Sequence, residues 1–232
     1  MNIYEHIIDA SKNFEIKYEL ANEPNFSLKM VNHENPWSIK LSEFEYLKNF
    51  IIKNDIQKAY EVATAFGIST MALGLGLKLT GGKLVTMDAY IEETFNSAGA
   101  YVDIKKTVEC ADGYKSVKTL IDYFDLCDVV FPYVGWSPDN TTETIKNVFD
   151  DNLELFFIDA GHWDSALLLD INSILPHLNK ERFVVFIHDT HCFSNDCIYQ
   201  IEKIFDTKIK CVDECRYPEG FNLSYIQRGF DV

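Results

Sequence analysis

The sequence lacks the features that mark membrane-spanning and secreted proteins. Its apolar runs all stop well short of the ~18 residues that a membrane span needs, so we expect no membrane partner. The first residues, MNIYEHIIDASK, lack a basic region followed by an apolar core, so we expect no signal peptide and a cytoplasmic location. The six cysteines show no C-x2-C spacing, which favours reduced, packed thiols over a zinc site or a disulfide scaffold.

An excess of positive charge is also absent. The chain carries 21 Lys and Arg against 36 Asp and Glu, a formal net charge of -15. An acidic surface repels polyanions, so we expect neither nucleic acid nor an anionic membrane as a partner. With 232 residues, of which 47% are hydrophobic, the chain is long enough for one sizeable globular domain.

Apolar segments alternate with segments of helical periodicity along most of the chain. Strands are predicted at residues 58–63, 83–88, 128–137, 153–159 and 182–189. Helices are predicted at residues 69–79, 115–126, 140–149, 163–178 and 194–205. The last two predicted strands, 208–215 and 221–229, flank a Pro-Glu-Gly turn and read as a hairpin. The pattern predicts an α/β fold with a doubly wound, mostly parallel, seven-stranded Rossmann-like sheet and a C-terminal antiparallel hairpin strand.

Two segments fall outside this alternation. Residues 1–50 are polar and aromatic, and we expect short helices that form a cap or an arm between copies of a homo-oligomer, ahead of a domain at 51–232. The connection between the second strand and the next helix, at about 89–114, is longer than most strand-to-helix loops, which predicts a lid over the site. Aromatic side chains that could stack on a ligand there are Tyr90, Phe95, Tyr101, Tyr114 and Trp163.

The strand ends carry acidic residues and histidines. In LFFIDAGHWD, residues 155–164, an apolar run leads to Asp159 and then His162. FVVFIHDTH, residues 183–191, ends in a histidine, Asp189 and His191. Ligands of doubly wound sheets bind beyond the carboxyl ends of the strands, so these side chains are candidates for a site. The structural alternatives are a strand-end hydrogen-bond acceptor for Asp159 and a helix-entry residue for His162.

Two nearby residues are expected to be structural. His188 precedes Asp189, so strand alternation should direct its side chain away from that carboxylate. Asp170 lies about two helical turns beyond His162, which favours a solvated or bracing group.

The turn EVATAFGIST, residues 61–70, has the composition of a ligand-binding strand-to-helix turn. Its small residues let the backbone approach a ligand, and the following helix offers free N–H groups. Glu61 and Asp88 end neighbouring predicted strands and can accept hydrogen bonds from an ammonium group or from ribose hydroxyls. This acidic, glycine-poor turn favours a cationic cofactor over a pyrophosphate, although an ordinary tight turn has the same composition. The G-x-G at 74–76 falls inside a predicted helix, so it is not a dinucleotide fingerprint.

The order of these motifs resembles a known family. The chain is similar to the class I S-adenosylmethionine-dependent methyltransferases in its motif E-x-A-x-A-x-G-x-S-T and in the acidic residue that ends the second strand. It also resembles them in G-x-S after the third strand, D-x-x-H after the fourth and H-D after the fifth. The resemblance covers about residues 55–228. It is greatest to the small-molecule O-methyltransferases that include catechol O-methyltransferase and the metal-dependent enzymes acting on sugars.

The resemblance implies roles for individual residues. Residues of the first turn would surround the methionine end of S-adenosylmethionine, namely Glu61, Ala63, Gly67 and Ser69. Asp88 would hold the ribose hydroxyls, and Ser137 would lie by the adenine. Asp159 and Asp189 would bind a divalent metal, Mg²⁺ or Mn²⁺, and His162 would be the catalytic base.

Two departures from the family pattern bear on these roles. Ala63 and Ala65 replace glycines, which is tolerable if neither position needs a positive φ. Thr190 stands where catechol-type enzymes have Asn, which leaves the third protein ligand of the metal open, with His191 as a candidate.

The resemblance thus implies an O-methyltransferase acting on a small-molecule acceptor, with a sugar or nucleotide-sugar favoured by family analogy and a catechol-like phenol second. A nicotinamide-dependent oxidoreductase is an alternative on the same sheet, but it should show a glycine fingerprint. A non-catalytic nucleoside-binding protein is another, and it would need neither His162 nor paired carboxylates.

Overall fold

The computed structural model describes most of the chain. It covers residues 5, 7, 15–20, 26–29, 39–89, 104–108, 111–216 and 222–230, with the backbone alone at 15–20, 26–29, 104–108, 111–112, 216 and 222. The predicted Pro-Glu-Gly turn at 218–220 lies outside these residues, as do Tyr90, Phe95 and Tyr101 of the predicted lid. Among the helices in these ranges, none combines the length and the hydropathy needed to cross a bilayer.

A seven-stranded mixed sheet forms the centre of the fold. Its strands are β3 (Lys58–Val62), β4 (Lys83–Asp88), β6 (Val130–Val134), β7 (Leu155–Ile158), β8 (Phe183–His188), β9 (Lys210–Arg216) and β10 (Asn222–Arg228). They lie in the order β6-β4-β3-β7-β8-β10-β9. The first five are parallel, and β10 pairs antiparallel with both β8 and β9. The predicted α/β fold and its C-terminal antiparallel hairpin are confirmed.

Helices cover both faces of this sheet, which explains the unbroken apolar runs in the strands. The helices are α1 (Leu41–Lys53), α2 (Ile68–Thr80), α3 (Ala111–Tyr123), α4 (Thr141–Val148), α5 (Asp164–Ile174) and α6 (Asn195–Phe205). Alternate strand residues belong to two separate hydrophobic clusters, the first with α1 to α3 and the second with α4 to α6. Phe157 and Phe186 pack in the first cluster, whereas Phe156 and Val185 pack in the second. Residues two apart therefore share a face, which fixes the direction of each strand-end side chain.

A second, three-stranded sheet corrects two predictions. Its order is β2-β1-β5, with β1 at Glu15–Leu20, β2 at Phe26–Lys29 and β5 at Ile104–Val108. The expectation of short helices is wrong for 15–20 and 26–29, and the boundary at residue 50 falls inside α1. The long connection after β4 also contains a strand, and β5 pairs antiparallel with β1. This pairing joins the N-terminal segment to the connection for which a lid is predicted.

Candidate active site

Four parallel strands end side by side at one edge of the sheet. Val62 pairs with Met87 of β4 and with Ile158 of β7, and Ile158 pairs with Ile187 of β8. The next residues along β4, β7 and β8 are Asp88, Asp159 and His188. The strand register therefore places these strand-end residues in one row along the edge of the sheet. This row defines the candidate site.

The turn after β3 is tighter than its alanines suggest. Ala63 has φ 70° and Ala65 has φ 46°, both in the left-handed region that side chains disfavour. The condition that neither alanine needs a positive φ is therefore not met, and the turn holds local strain of the kind found at functional sites. Gly67, at φ 88°, has no such cost, and a Cβ there would lie 2.9 Å from a methyl of Val117.

Glu61 is the buried support of this turn. Its side chain is fully buried, and three hydroxyls donate to its carboxylate, each at 2.6 Å: those of Ser69, Thr70 and Thr86. Burial raises the pKa of Glu61 to about 7, and the three hydroxyl donors offset only part of that effect. Glu61 and Ser69 thus tie the start of α2 to β3.

Asp88 and Ser137 lie on the neighbouring strands β4 and β6 or just beyond them. The Ala65 N–H donates to Asp88 Oδ2 at 2.9 Å, so Asp88 also fixes the first turn. The Ser137 hydroxyl donates to Asp170, which is buried in α5. Burial raises the pKa of Asp170 to about 6, against the lowering effect of the Ser137 bond. Asp170 is therefore a bracing residue and not a solvated one.

An acidic and histidine cluster fills the other half of the edge. Asp159, His188 and Asp189 each place a ligand-type atom within 4.8 Å of the others. His188 Nδ1 lies 3.1 Å from Asp159 Oδ1 and 3.5 Å from Asp189 Oδ2. Asp159 and Asp189 are half-buried and His188 is buried, so these charges interact with little solvent screening.

The prediction that His188 is turned away from Asp189 is wrong. Alternation does place His188 on the α1 face, together with Phe186. However, Asp189 has φ 52° and ψ 40°, so the chain is no longer extended there and alternation no longer applies. Its carboxylate turns back toward His188.

A further carboxylate, which the sequence reading did not single out, lies behind His188. Glu43 of α1 is 1% exposed, and its Oε1 lies 3.3 Å from His188 Nε2. Its Oε2 accepts the Lys40 N–H at 2.7 Å, which caps α1. No motif connects Glu43 to the strand ends; the only local signal was an acidic residue among apolar ones on a helix.

His162 and His191 differ in their relation to this cluster. His162 Nε2 lies 3.5 Å from Asp189 Oδ2 and 3.7 Å from Asp159 Oδ1, with 47% of its side chain exposed. His191 Nδ1 is 4.0 Å from Asp189 Oδ1, and its side chain is 31% exposed. The group of three close ligand atoms contains His188 and not His191, so His191 as a metal ligand stays a prediction.

Mutual attraction shifts the pKa values within the cluster. Burial alone would raise the pKa of Asp159, but the charge of His188 and hydrogen bonds from His162 and His188 outweigh it and lower that pKa to about 2. The hydrogen bond to Asp159 raises the pKa of His162 above 6.5. The cluster is therefore strongly coupled and rich in negative charge.

The donor set fits a divalent cation. Asp189 Oδ1 is buried without a hydrogen-bond partner among the described residues, a costly arrangement for a carboxylate oxygen. Two carboxylates are ligands that Mg²⁺ and Mn²⁺ accept, and an imidazole beside them favours a transition-metal ion such as Mn²⁺ over Mg²⁺. Asp159 and Asp189 could hold such an ion.

Trp163 adds an aromatic surface beside His162. Its side chain is 50% exposed, and its ring lies so close to Gly161 that a Cβ there would come within 2.7 Å of it. Gly161 therefore allows the indole to fold over the β7 turn. Tyr114, in the first turn of α3, is half-buried.

Comparison with known families agrees with this architecture. A family model described as a methyltransferase domain matches residues 61–190, more than half of the chain and all of the strand ends described above. No curated protein matches the sequence.

Solved structures share the fold at low sequence identity. An O-methyltransferase from Bacillus cereus in complex with SAH has a TM-score of 0.63 at 15% identity, over 97% of this chain and 89% of that chain. TomG from Streptomyces achromogenes, an O-methyltransferase involved in tomaymycin synthesis, in complex with SAM, has a TM-score of 0.60 at 13% identity, over 83% of this chain and 82% of that chain. The SAH-bound methyltransferase PaMTH1 from Podospora anserina has a TM-score of 0.54 at 13% identity, over 84% of this chain and 80% of that chain.

The raised pKa of Glu61 predicts a pH-dependent stability. Between 4.5, the ordinary pKa, and about 7, the folded-state pKa, the unfolded chain releases this proton before the folded chain does. Stability from this group is therefore complete below pH 4.5 and is lost as the pH rises through 7. Relative to Glu61→Gln, which cannot titrate, the parent should lose roughly 3 kcal/mol of unfolding free energy across this window.

Urea unfolding at a series of pH values measures the difference. Glu45→Gln, at a half-exposed position of α1 that pairs with Lys48, is the matched control and should show the pH dependence of the parent. Parallel curves for the parent and Glu61→Gln would show that the Glu61 carboxylate stays ionised in the folded protein.

Proposed function

The chain belongs to the methyltransferase-domain family, and on that premise we propose that it transfers the methyl group of S-adenosylmethionine (SAM) to a hydroxyl of a small-molecule acceptor. One observation carries the proposal: a strained first turn tied to Asp88 stands on the same sheet edge as an accessible histidine held between two carboxylates. The strained turn and Asp88 suit cofactor binding, and the histidine with its two carboxylates suits a proton transfer. Structures with the same fold include O-methyltransferases bound to SAH or SAM, which supports the choice of cofactor.

The cofactor would lie along the ends of β3, β4 and β6. Its methionine end would contact the turn of Ala63 and Gly67, where the backbone can approach closely and the N-terminus of α2 presents N–H groups. Glu61 and Ser69 would hold this turn in shape from below. Asp88 would accept hydrogen bonds from the ribose hydroxyls.

The adenine would lie toward Ser137, which the structure braces against Asp170. Because that hydroxyl already donates to a buried carboxylate, we propose that Ser137 shapes the adenine pocket and does not donate to the base.

Methyl transfer requires a deprotonated acceptor and an in-line approach. The acceptor hydroxyl gives its proton to His162, its oxygen attacks the methyl carbon, and the carbon–sulfur bond breaks with its electron pair left on sulfur. SAM thereby becomes S-adenosylhomocysteine (SAH). His162 Nε2 suits the role because it lies beside the carboxylates and is accessible to an acceptor. Alignment of sulfur, methyl and oxygen would supply much of the remaining acceleration.

Asp159 and Asp189 would hold a divalent ion, Mg²⁺ or Mn²⁺, whose charge lowers the pKa of the acceptor hydroxyl. The unpartnered Asp189 Oδ1 supports this assignment.

The proposed class of acceptor has fewer observations behind it than the proposed cofactor has. A sugar or nucleotide-sugar is favoured by family analogy, and the exposed indole of Trp163 offers a face on which a sugar or a catechol ring can stack. A cytoplasmic location and a homo-oligomer stay predictions from the sequence.

The positions of two glycines in this chain disfavour the alternative function of a nicotinamide-dependent oxidoreductase. Gly74 and Gly76 lie within α2 and pack on neighbouring side chains, so they form no strand-to-helix turn that could receive a pyrophosphate.

The assignment of Asp88 is tested by cofactor binding. Asp88→Ala should weaken SAM binding at least tenfold in calorimetric titration, about 1.4 kcal/mol, because the ribose loses a charge-assisted acceptor. Asp88→Asn keeps an acceptor for the Ala65 N–H and separates damage to the turn from loss of the ribose contact. Asp196→Ala, at an exposed position, is the control. Equal affinity in the parent and Asp88→Ala would remove Asp88 from the cofactor site.

The role of His162 is tested by transfer of a labelled methyl group from SAM to a panel of sugars, nucleotide-sugars and catechols. On any acceptor that reacts, His162→Ala should lower turnover by about 10²–10⁴-fold, the usual contribution of a positioned base. SAM affinity should stay at the parent value, since His162 is not a cofactor contact. Near-parent turnover would show that another group takes the proton. His177→Ala, which removes a buried histidine that pairs with Asp151 elsewhere, is the control.

A further inference from the structure

We propose that His188, through Nδ1, is the third protein ligand of the divalent ion, and that Glu43 of α1 is a positioning residue that orients it. The inference rests on the proposed metal-assisted function. It extends the site from the strand ends to a helix that precedes the part of the chain matched by the family model.

The distances around Nδ1 are those of a ligand set that needs little movement. Nδ1 lies 3.1 Å from Asp159 Oδ1 and 3.5 Å from Asp189 Oδ2. Ligands about 2.1 Å from an octahedral ion and at right angles to one another are roughly 3 Å apart. The two separations from Nδ1 are therefore within about half an ångström of this spacing, and the three ligand atoms all lie within 4.8 Å of one another.

The opposite ring nitrogen faces the partner that a metal-bound imidazole commonly has. A histidine ligand generally gives its other N–H to a carboxylate or carbonyl, which fixes the tautomer and the ring orientation. Glu43 Oε1 is 3.3 Å from Nε2, is buried, and has no hydrogen-bond partner among the described residues. Ion binding would displace the proton on Nδ1 that now faces Asp159, and the proton kept on Nε2 would leave the Nδ1 lone pair directed at the ion between the two aspartates.

The other candidates for the third ligand are less well placed. The Thr190 hydroxyl shares a hydrogen bond with Ser224 at 2.8 Å, so ion binding would compete with that bond. His191 lies 4.0 Å from the nearer oxygen of Asp189 and outside the group of close ligand atoms. His188 would thus supply the third protein ligand from the residue before Asp189, whereas catechol-type enzymes have Asn at the position after it.

A different role for His188, as a buried positive charge that neutralises the carboxylates without any metal, predicts the opposite effect of mutation. Removing a ligand weakens ion binding. Removing a countercharge leaves Glu43, Asp159 and Asp189 uncompensated and strengthens it. The sign of the change therefore separates the two roles.

The test is Mn²⁺ binding to the full chain without SAM or acceptor, followed through the free-ion signal in electron paramagnetic resonance. His188→Ala should weaken binding at least tenfold, and Glu43→Gln, which keeps an acceptor for the Lys40 N–H, about tenfold. Glu45→Gln on the same helix and His177→Ala, at another buried histidine paired with a carboxylate, should bind as the parent does. Unchanged or tighter binding by His188→Ala overturns the inference.

A second measurement does not depend on whether the His188 variant folds. Pulsed resonance on Mn²⁺ bound to the parent should show coupling to an imidazole nitrogen, and the coupling should persist in His162→Ala and in His191→Ala. Its absence from the parent, or its loss in either of those variants, overturns the assignment of His188. A parent that binds SAM but no Mn²⁺ overturns the metal site and leaves SAM-dependent transfer intact, whereas a parent that binds Mn²⁺ but no SAM contradicts the proposed function.

Discussion

The compensation of three carboxylates around one buried imidazole links the parts of this site. Glu43, Asp159 and Asp189 come from α1, β7 and β8, and each lies within 3.5 Å of a ring nitrogen of His188. Removing the imidazole from such a cluster leaves the buried carboxylates uncompensated, which is strongly destabilising. The positions of helix α1 and of the two strand ends are therefore coupled through this side chain. The geometry of the proposed catalytic site depends on that coupling, because His162 lies against the same two aspartates.

The two halves of the sheet edge differ in rigidity and exposure. The half assigned to the cofactor is braced from below, with Glu61 buried under three hydroxyls and Asp88 bonded to the turn. The half assigned to the acceptor is open, with about half of His162 and of Trp163 exposed. A buried support for a constant ligand beside an open surface for a variable one suits an enzyme that binds one cofactor and a separate acceptor.

The features predictable from sequence were those set by local periodicity. Apolar runs located the five parallel strands, and the residues that follow them located Asp88, Asp159 and Asp189. The missed features depend on tertiary structure. His188 was excluded by strand alternation, which fails because Asp189 leaves the extended conformation. Glu43 reaches the site only through helix packing.

The N-terminal strands were missed for a similar reason, since β1 pairs with β5 from a distant part of the chain and no local pattern encodes that pairing. The positive φ values of Ala63 and Ala65 were missed because alanine ordinarily avoids them.

The most direct test of the central claim is native mass spectrometry of the chain mixed with equal amounts of SAM and NAD. The account predicts a mass increase of one SAM per chain and no bound NAD, because the strained turn and Asp88 form the cofactor site while Gly74 and Gly76 are enclosed in a helix. Retention of NAD in place of SAM would contradict the assignment of the sheet edge to methyl transfer. Absence of both would show that this edge binds neither cofactor.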